Sequence, residues 1–372
     1  MAHNINTYIG RQAAWHTLGI VTGQFMTWEQ IQAHGGLNYL PVKQQLYSAN
    51  GQLVEAWGVF RPDSGAFLGA VGDQYTVIDH AEGFRMIDAL IQSKDGAHYE
   101  TAECLGKGEV VWGLADLSLS VNVGTSGDKS NVYLLFATAH NGTFSHLYRT
   151  TLTRVVCQNT LNAAMSSKAT ALFRVRHTKN AQNKLDLAHD ALATIGAEVQ
   201  TIEQKLNMLA TRKMTREAMG SILDRLFPQS KDAAGKPQDS TRRNNILGDV
   251  LRCYESNDRN AFPEQRGTAY NLLNAVTEYT DHMRSARNGE RAESAMFGSG
   301  DRLKTQAMEV ILETADGLQT ISRPMYSDVR PAVTSGTSLL DQIVSEGRLA
   351  PRTGRSEIGQ GIEPLPPHGH KL

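Results

Sequence analysis

The apolar positions of this 372-residue chain change period several times. Residues 1–45 show little periodicity beyond a short helix near Thr27–Ala33, with Thr27 as N-cap and Glu29 and Gln30 in its first turn. From Leu53 the period becomes two. Leu53–Phe60 and Ala66–Val71 read as strands joined by the turn Arg61-Pro62-Asp63-Ser64-Gly65, a β-hairpin. Asp79 then caps a helix that carries Phe84, Ile87, Leu90 and Ile91 on one face. Strands follow near Tyr99–Leu105, Glu109–Ser118 and Asn131–His140, with a further extended run over Thr143–Arg149. The turns Gly106-Lys107-Gly108 and Thr125-Ser126-Gly127-Asp128 punctuate them.

The period then lengthens. Thr151–Ser166 reads as a helix with Leu152, Val155, Val156, Thr160 and Ala163 buried, and Thr151, Arg154, Gln158 and Asn162 on the opposite stripe. Leu172–His177 alternates, with Arg174 and Arg176 on one face and Phe173 and Val175 on the other. Leu185, Ala188, Leu192, Ile195, Val199, Ile202, Leu206 and Leu209 follow a 3,4 spacing, a heptad seam suited to packing against a helix of the same chain or of a neighbouring subunit. Thr215 starts a helix that ends at Phe227-Pro228, a polar stretch covers Gln229–Asn244, and helices follow near Ile246–Glu255, Glu264–Arg287 and Asp301–Glu313. Beyond Ile321 the chain is rich in Pro and Gly, with one short helix near Ser338–Ser345 and a disordered end from Gly354.

These elements predict an α+β fold: an antiparallel sheet built as hairpin, helix and meander with packed helices, followed by a mainly α-helical C-terminal region. The expected divisions are an α+β domain over 1–184, a helical domain over 185–320, and a largely disordered tail over 321–372. No apolar run is long enough to span a membrane, the N-terminus lacks a secretory signal, and the three cysteines are few and scattered. A cytoplasmic protein with free thiols is expected.

Charge changes the picture. The net charge of -1 predicts no partner, but its distribution is uneven. Residues 129–185 contain no aspartate or glutamate and hold eight cations: Lys129, Arg149, Arg154, Lys168, Arg174, Arg176, Lys179 and Lys184. Residues 1–128 balance to -7 and residues 186–372 to -2. Clearing one segment of acid keeps a surface attractive to an anion, and a nucleic acid is the common anion that needs a long surface.

Enzyme signatures are missing. Gly124-Thr125-Ser126-Gly127-Asp128-Lys129-Ser130 places aspartate where a phosphate-binding loop needs glycine beside lysine, and Gly106-Lys107-Gly108 lacks the third glycine of a dinucleotide loop. No CxxC or HExxH occurs. Asp79-His80-Ala81-Glu82 and Asp281-His282 place histidine beside carboxylate without three ligands at useful spacing, so no metal and no cofactor is predicted. Glu203-Gln204-Lys205 reads as the solvated face of the heptad helix. No catalytic residues are assigned, and the chain reads as a non-enzyme. A metal-dependent nuclease would need carboxylates converging from distant segments.

The acid-free segment offers a binding surface instead. Arg154, Gln158 and Asn162 can all donate hydrogen bonds, and arginine forks match phosphate oxygens. Arg174 and Arg176 stand about 6.6 Å apart along a strand, a spacing suited to neighbouring phosphates. Tyr148 and Phe173 flank these charges as stacking platforms. Arg149, Lys168, Lys179 and Lys184 complete the candidate groove.

The run Arg149-Thr150-Thr151-Leu152-Thr153-Arg154-Val155-Val156-Cys157-Gln158-Asn159-Thr160-Leu161 resembles the signature of a phage/plasmid-like protein family of unknown function. So does Gly267-Thr268-Ala269-Tyr270-Asn271-Leu272-Leu273-Asn274-Ala275-Val276-Thr277-Glu278-Tyr279, and the likeness runs from about Trp15 to Glu313. The order hairpin, helix, meander, basic helix also resembles, at the level of fold, the ring-forming single-strand annealing proteins. That resemblance implies single-stranded DNA held in a basic groove without ATP or metal, in a homo-oligomeric ring or filament. The expected function is therefore ATP-independent binding and annealing of single-stranded DNA, in preference to RNA, in a phage or plasmid recombination system. The alternative is a non-enzymatic interaction or structural protein of a mobile element, whose basic segment meets a protein partner or the acidic N-terminal third of a neighbouring subunit.

Overall fold

The computed structural model describes residues 6–9, 20–21, 26–93, 96–125, 127–154, 160–162, 173–177, 195–238, 240–255, 262–285, 294–295 and 298–320. The fold is α+β, with antiparallel sheets and helices in the N-terminal region and a mainly helical C-terminal region.

The first helix, α1 (Trp28–His34), opens on a capping box. Thr27 accepts from the Gln30 N–H, and the Gln30 side chain accepts from the Thr27 N–H. Strands β3 (Val42–Tyr47), β4 (Leu53–Arg61) and β5 (Ala66–Val71) form a separate three-stranded sheet in that order. The predicted β4–β5 hairpin turns at Gly65, whose φ of 68° suits glycine, and Arg61 braces the turn by pairing with Asp63 at 2.8 Å.

Helix α2 (His80–Ser93) starts where the Asp79 carboxylate accepts the Ala81 N–H at 2.9 Å. Phe84 on α2 stacks on Trp28 of α1, with ring centroids 4.0 Å apart. The large sheet has eight strands: β1 (Asn6–Ile9), β2 (Ile20–Val21), β6 (His98–Leu105), β7 (Val110–Val123), β8 (Asp128–Ala139), β9 (His146–Arg154), β10 (Thr160–Asn162) and β11 (Phe173–Val175). Their order is β10-β9-β8-β7-β6-β1-β2, and β11 also pairs with β9. All pairs are antiparallel except β1 with β2.

Strand β8 carries the nearly unbroken apolar run Val132–Ala137 because both of its faces are covered. Val132, Leu134 and Phe136 face the main core, while Tyr133, Leu135 and Ala137 join Trp112, Leu114 and Ala295 in a second cluster. The main core is continuous from Trp28 to Ala315 and joins sheet residues to those of the C-terminal helices.

Where it is described, the predicted helix over Thr151–Ser166 is replaced by strand, and residues 155–159 and 163–166 lie outside the described residues. Thr151–Arg154 completes β9, and Thr160–Asn162 turns back as β10, with Thr151 paired to Asn162 and Thr153 to Thr160. The helical spacing of Leu152, Val155, Val156 and Thr160 coincides with a run of β-branched Thr and Val side chains that favour a pleated ladder. A strand neighbour was available to pair with, and tertiary context overrode the helical period.

The helices of the second half follow their signals more closely. Helix α3 (Ile195–Ala210) buries Ile195, Val199, Ile202, Leu206 and Leu209, so this half of the heptad seam packs within the chain. Leu185, Ala188 and Leu192 lie outside the described residues. On the solvated side of α3, half-buried Glu203 accepts the Asn122 N–H at 2.9 Å, and Asn207 accepts the Gly124 N–H at 3.1 Å, so α3 closes the end of β7. Thr215 caps α4 (Arg216–Leu226). The polar stretch holds a small ladder, β12 (Ser230–Lys231) with β13 (Pro237–Gln238), and α5 (Thr241–Glu255) begins before its predicted end. The predicted helix over Glu264–Arg287 is shorter and divided into a 3-10 turn (Pro263–Gln265), α6 (Ala269–Glu278) capped by Thr268, and a π-helical turn (Tyr279–Met283). Helix α7 (Ser299–Ala315) follows. The short helix near Ser338 and the C-terminal tail fall outside the described residues. Among the described residues, no helix is long and apolar enough to cross a membrane.

Candidate functional site

The β6–β7 hairpin assembles the one group of potential metal ligands found among the described residues. His98 on β6 lies directly opposite Asp116 on β7. The register shifts between Tyr99 and Thr101, leaving Glu100 as the extra residue of a bulge beside His98. One ligand atom from each of His98, Glu100 and Asp116 lies within 4.8 Å of the others. His98 Nε2 is 3.4 Å from Glu100 Oε2, with side chains 17% and 10% exposed.

The hairpin also orients these groups. His98 Nδ1 is 2.9 Å from the Gly96 carbonyl, and a carbonyl only accepts, so Nδ1 carries the proton and Nε2 is the nitrogen that faces Glu100. A second shift follows Asp116, and within it Ser118 adopts a φ of 51°, the one positive value outside glycine among the described residues. The Ser118 N–H donates to Asp116 Oδ1 at 2.7 Å. Burial raises the Asp116 carboxyl above its ordinary range, outweighing the lowering by Ser118 and His98. For His98, burial favours the neutral ring, but hydrogen bonds to Glu100 and Gly96 outweigh it and the pKa rises. Tyr133, opposite Asp116, has its hydroxyl pushed up by burial, with Glu100 and Asp116 adding to the effect.

A second cluster is wholly internal. His80 begins α2, His140 follows β8, His146 begins β9 and His177 follows β11, and all four rings are buried. His80 Nδ1 is 3.2 Å from His140 Nε2, while His80 Nε2 is 2.7 Å from the Leu37 carbonyl. That carbonyl requires the proton on Nε2, so His80 Nδ1 accepts from His140 Nε2. His177 stacks on Tyr75 at 4.7 Å and lies 5.1 Å from His146. Among the described residues, neither ring nitrogen of His146 has a hydrogen-bond partner. Burial lowers the pKa of His146 to about 3 and of His177 to about 4, and it also lowers those of His80 and His140. Burial therefore favours the uncharged form of all four rings.

The structure divides the predicted groove. Tyr148 is fully buried beside Phe136 and cannot stack on an incoming base. Arg149 is sealed into an ion pair with Asp301 at 2.6 Å, so its charge is already compensated. Both predictions are corrected by the alternation of β9, which turns each of these side chains into a covered face. Arg176 and Lys129 are exposed. Arg154 and Asn162 lie on adjacent strands and not on one helix face, and Phe173 and Arg174 pair with Tyr148 and Leu147. The side chains of these four, together with Gln158, Lys168, Lys179 and Lys184, lie outside the described residues.

A family model, Domain of unknown function (DUF932), matches residues 67–297. The chain belongs to this family. The DUF932 match takes in the His98 cluster, all four buried histidines and the whole acid-free segment, and it stops short of α7. No match was found among curated proteins or among solved structures.

The convergence of His98, Glu100 and Asp116 is what reading the DUF932 chain locally misses. Its signal was a histidine and a carboxylate two apart on a strand, with an aspartate nearly symmetric about the Gly106-Lys107-Gly108 turn. Local spacing leaves these residues ungrouped, and hairpin register brings Asp116 beside the other two.

Proposed function

We propose that this protein binds single-stranded nucleic acid, DNA in preference to RNA, through the acid-free half of its large sheet. The observation that carries this reading is where the charge clearance falls. Residues 129–185 include nearly all of β8 and the whole of β9, β10 and β11, which adjoin one another in the sheet. Arg149 is withdrawn from the surface by Asp301, and Lys129 and Arg176 are its described solvent-facing cations. Annealing within a phage or plasmid recombination system, by a homo-oligomer that aligns several such surfaces, extends the proposal. Holding the backbone while leaving base edges accessible would permit pairing without ATP.

The test is the salt dependence of binding to a labelled oligonucleotide. Each neutralised phosphate contributes about -0.7 to the log-log slope on single strands. Arg176→Ala combined with Lys129→Ala is expected to flatten that slope by roughly one to two units. Absence of binding at low salt sinks the proposal, and an unchanged slope removes these two residues from the site.

A second reading, an interaction or structural protein of a mobile element, is favoured by one observation. Leu40, Tyr47, Leu53, Val54 and Phe67, on or beside the three-stranded sheet, are large apolar side chains exposed to solvent. Sedimentation of the chain alone, with Tyr47→Ser and Phe67→Ser as comparisons, separates self-association through this sheet from oligonucleotide binding.

A further inference from the structure

We propose that His98, Glu100 and Asp116 form a binding site for one divalent transition-metal ion. The inference is independent of the nucleic-acid reading, because all three residues lie on β6 and β7, outside the acid-free segment.

Four observations support it. Three potential ligands converge within 4.8 Å, close enough for small side-chain shifts to seat a single ion. The donor set is one imidazole and two carboxylates, which suits Mn²⁺ or Fe²⁺ better than the all-oxygen shell preferred by Ca²⁺. Three protein ligands leave positions for water or an added oxygen ligand, unlike the closed four-ligand shell of structural zinc. His98 also shows the outer-shell support typical of a ligating histidine, since Nδ1–H is held by the Gly96 carbonyl and Nε2 is turned towards the carboxylates.

Charge points the same way. The His98–Glu100 pair accounts for one carboxylate, and Asp116, which also feels Lys129, brings a second to the same imidazole. A divalent ion balances both while His98 binds as a neutral ring. The ligands sit on paired strands, which fix geometry more firmly than loops. The bulge at Glu100 brings the third donor to the site. The residual exposure of His98 leaves a side open for entry of the ion.

The experiment uses the full chain and Mn²⁺. Equilibrium dialysis is expected to show one saturable Mn²⁺ per chain, and electron spin echo spectroscopy should show coupling to one imidazole nitrogen. Asp116→Asn and His98→Ala should each weaken binding by at least about tenfold, with circular dichroism unchanged. Absence of saturable binding, a bound ion without nitrogen coupling, or variants that bind like the parent would overturn the site and leave His98–Glu100 as an ion pair. If a variant folds poorly, the nitrogen coupling on the parent chain decides. Loss of oligonucleotide binding would leave this result untouched.

Discussion

Arg149 on β9 and Asp301 in the first turn of α7 meet at 2.6 Å across 152 positions of chain, with side chains 3% and 6% exposed. The contact pins the C-terminal helix to the outer part of the large sheet. Lys304, one turn further along α7, pairs with Asp281 at 2.7 Å in equally dry surroundings. Charges this well buried repay their desolvation only while both partners are present. Asp301→Asn leaves Arg149 uncompensated and should destabilise the fold by about 3–5 kcal/mol. Arg149→Met together with Asp301→Leu removes both charges and should recover most of that loss. Urea unfolding of Arg149→Met, Asp301→Leu and the double variant gives the cycle. Additive losses would mean that the pair is not an energetic unit.

Two helical glycines should respond oppositely to the same substitution. A Cβ on Gly83 of α2 would lie 2.1 Å from the Phe136 ring, so this glycine is what lets the helix approach β8. Gly83→Ala forces Phe136 or the helix to move and should cost about 1–3 kcal/mol. Nothing lies within 4 Å of a Cβ on Gly220 in α4. There, alanine only restrains the unfolded chain and should stabilise by about 0.5–1 kcal/mol. Midpoints of denaturant unfolding report both signs.

Thr27 should contribute as a cap. Its hydroxyl accepts the Gln30 N–H while Gln30 reciprocates, and α1 delivers Trp28 and Ile31 to the core. Thr27→Ala is expected to cost about 1 kcal/mol, whereas Thr27→Ser should cost little. Equal losses for both variants would show that the methyl group, and not the hydroxyl, matters.

What the sequence revealed was whatever is encoded locally. The β4–β5 hairpin, the Asp79 and Thr215 caps and the buried half of the heptad seam rest on neighbours within a few residues, and each forms. Thr151–Arg154 departs from the helical spacing of Leu152, Val155 and Val156 because the strand is decided by β8, which pairs Arg154 with Ser130 and Leu152 with Val132. Arg149 looked like a phosphate ligand because Asp301, which neutralises it, lies far away in sequence. Charge counting along a segment cannot see a partner outside that segment. The His98 group is illegible for the converse reason, since its third member arrives through register and bulging, and the buried histidines come from four separate elements.

Those four histidines make acid stability a sharp test of the core. His146 and His177 have folded pKa values of about 3 and about 4, caused first by burial, and His80 and His140 are lowered as well. Asp79 opposes the shift at His80, while Arg61 reinforces it. An unfolded histidine titrates near 6.5, so as pH falls the unfolded chain takes up protons first. Stability is therefore fully present above about pH 6.5 and declines as pH drops towards the folded values, by up to about 1.4 kcal/mol per pH unit for each histidine. His146 is the residue to change, because both ring nitrogens lack hydrogen-bond partners among the described residues and its ring packs 5.4 Å from Phe136. His146→Phe keeps an aromatic ring there, removes the unsatisfied nitrogens and should make the slope between pH 6 and 4 shallower by about 1.4 kcal/mol per pH unit. Urea unfolding across that interval measures the slope directly. An acid slope identical in the parent and His146→Phe would mean that His146 is protonated in the folded state or reached by solvent, contrary to the sealed cluster.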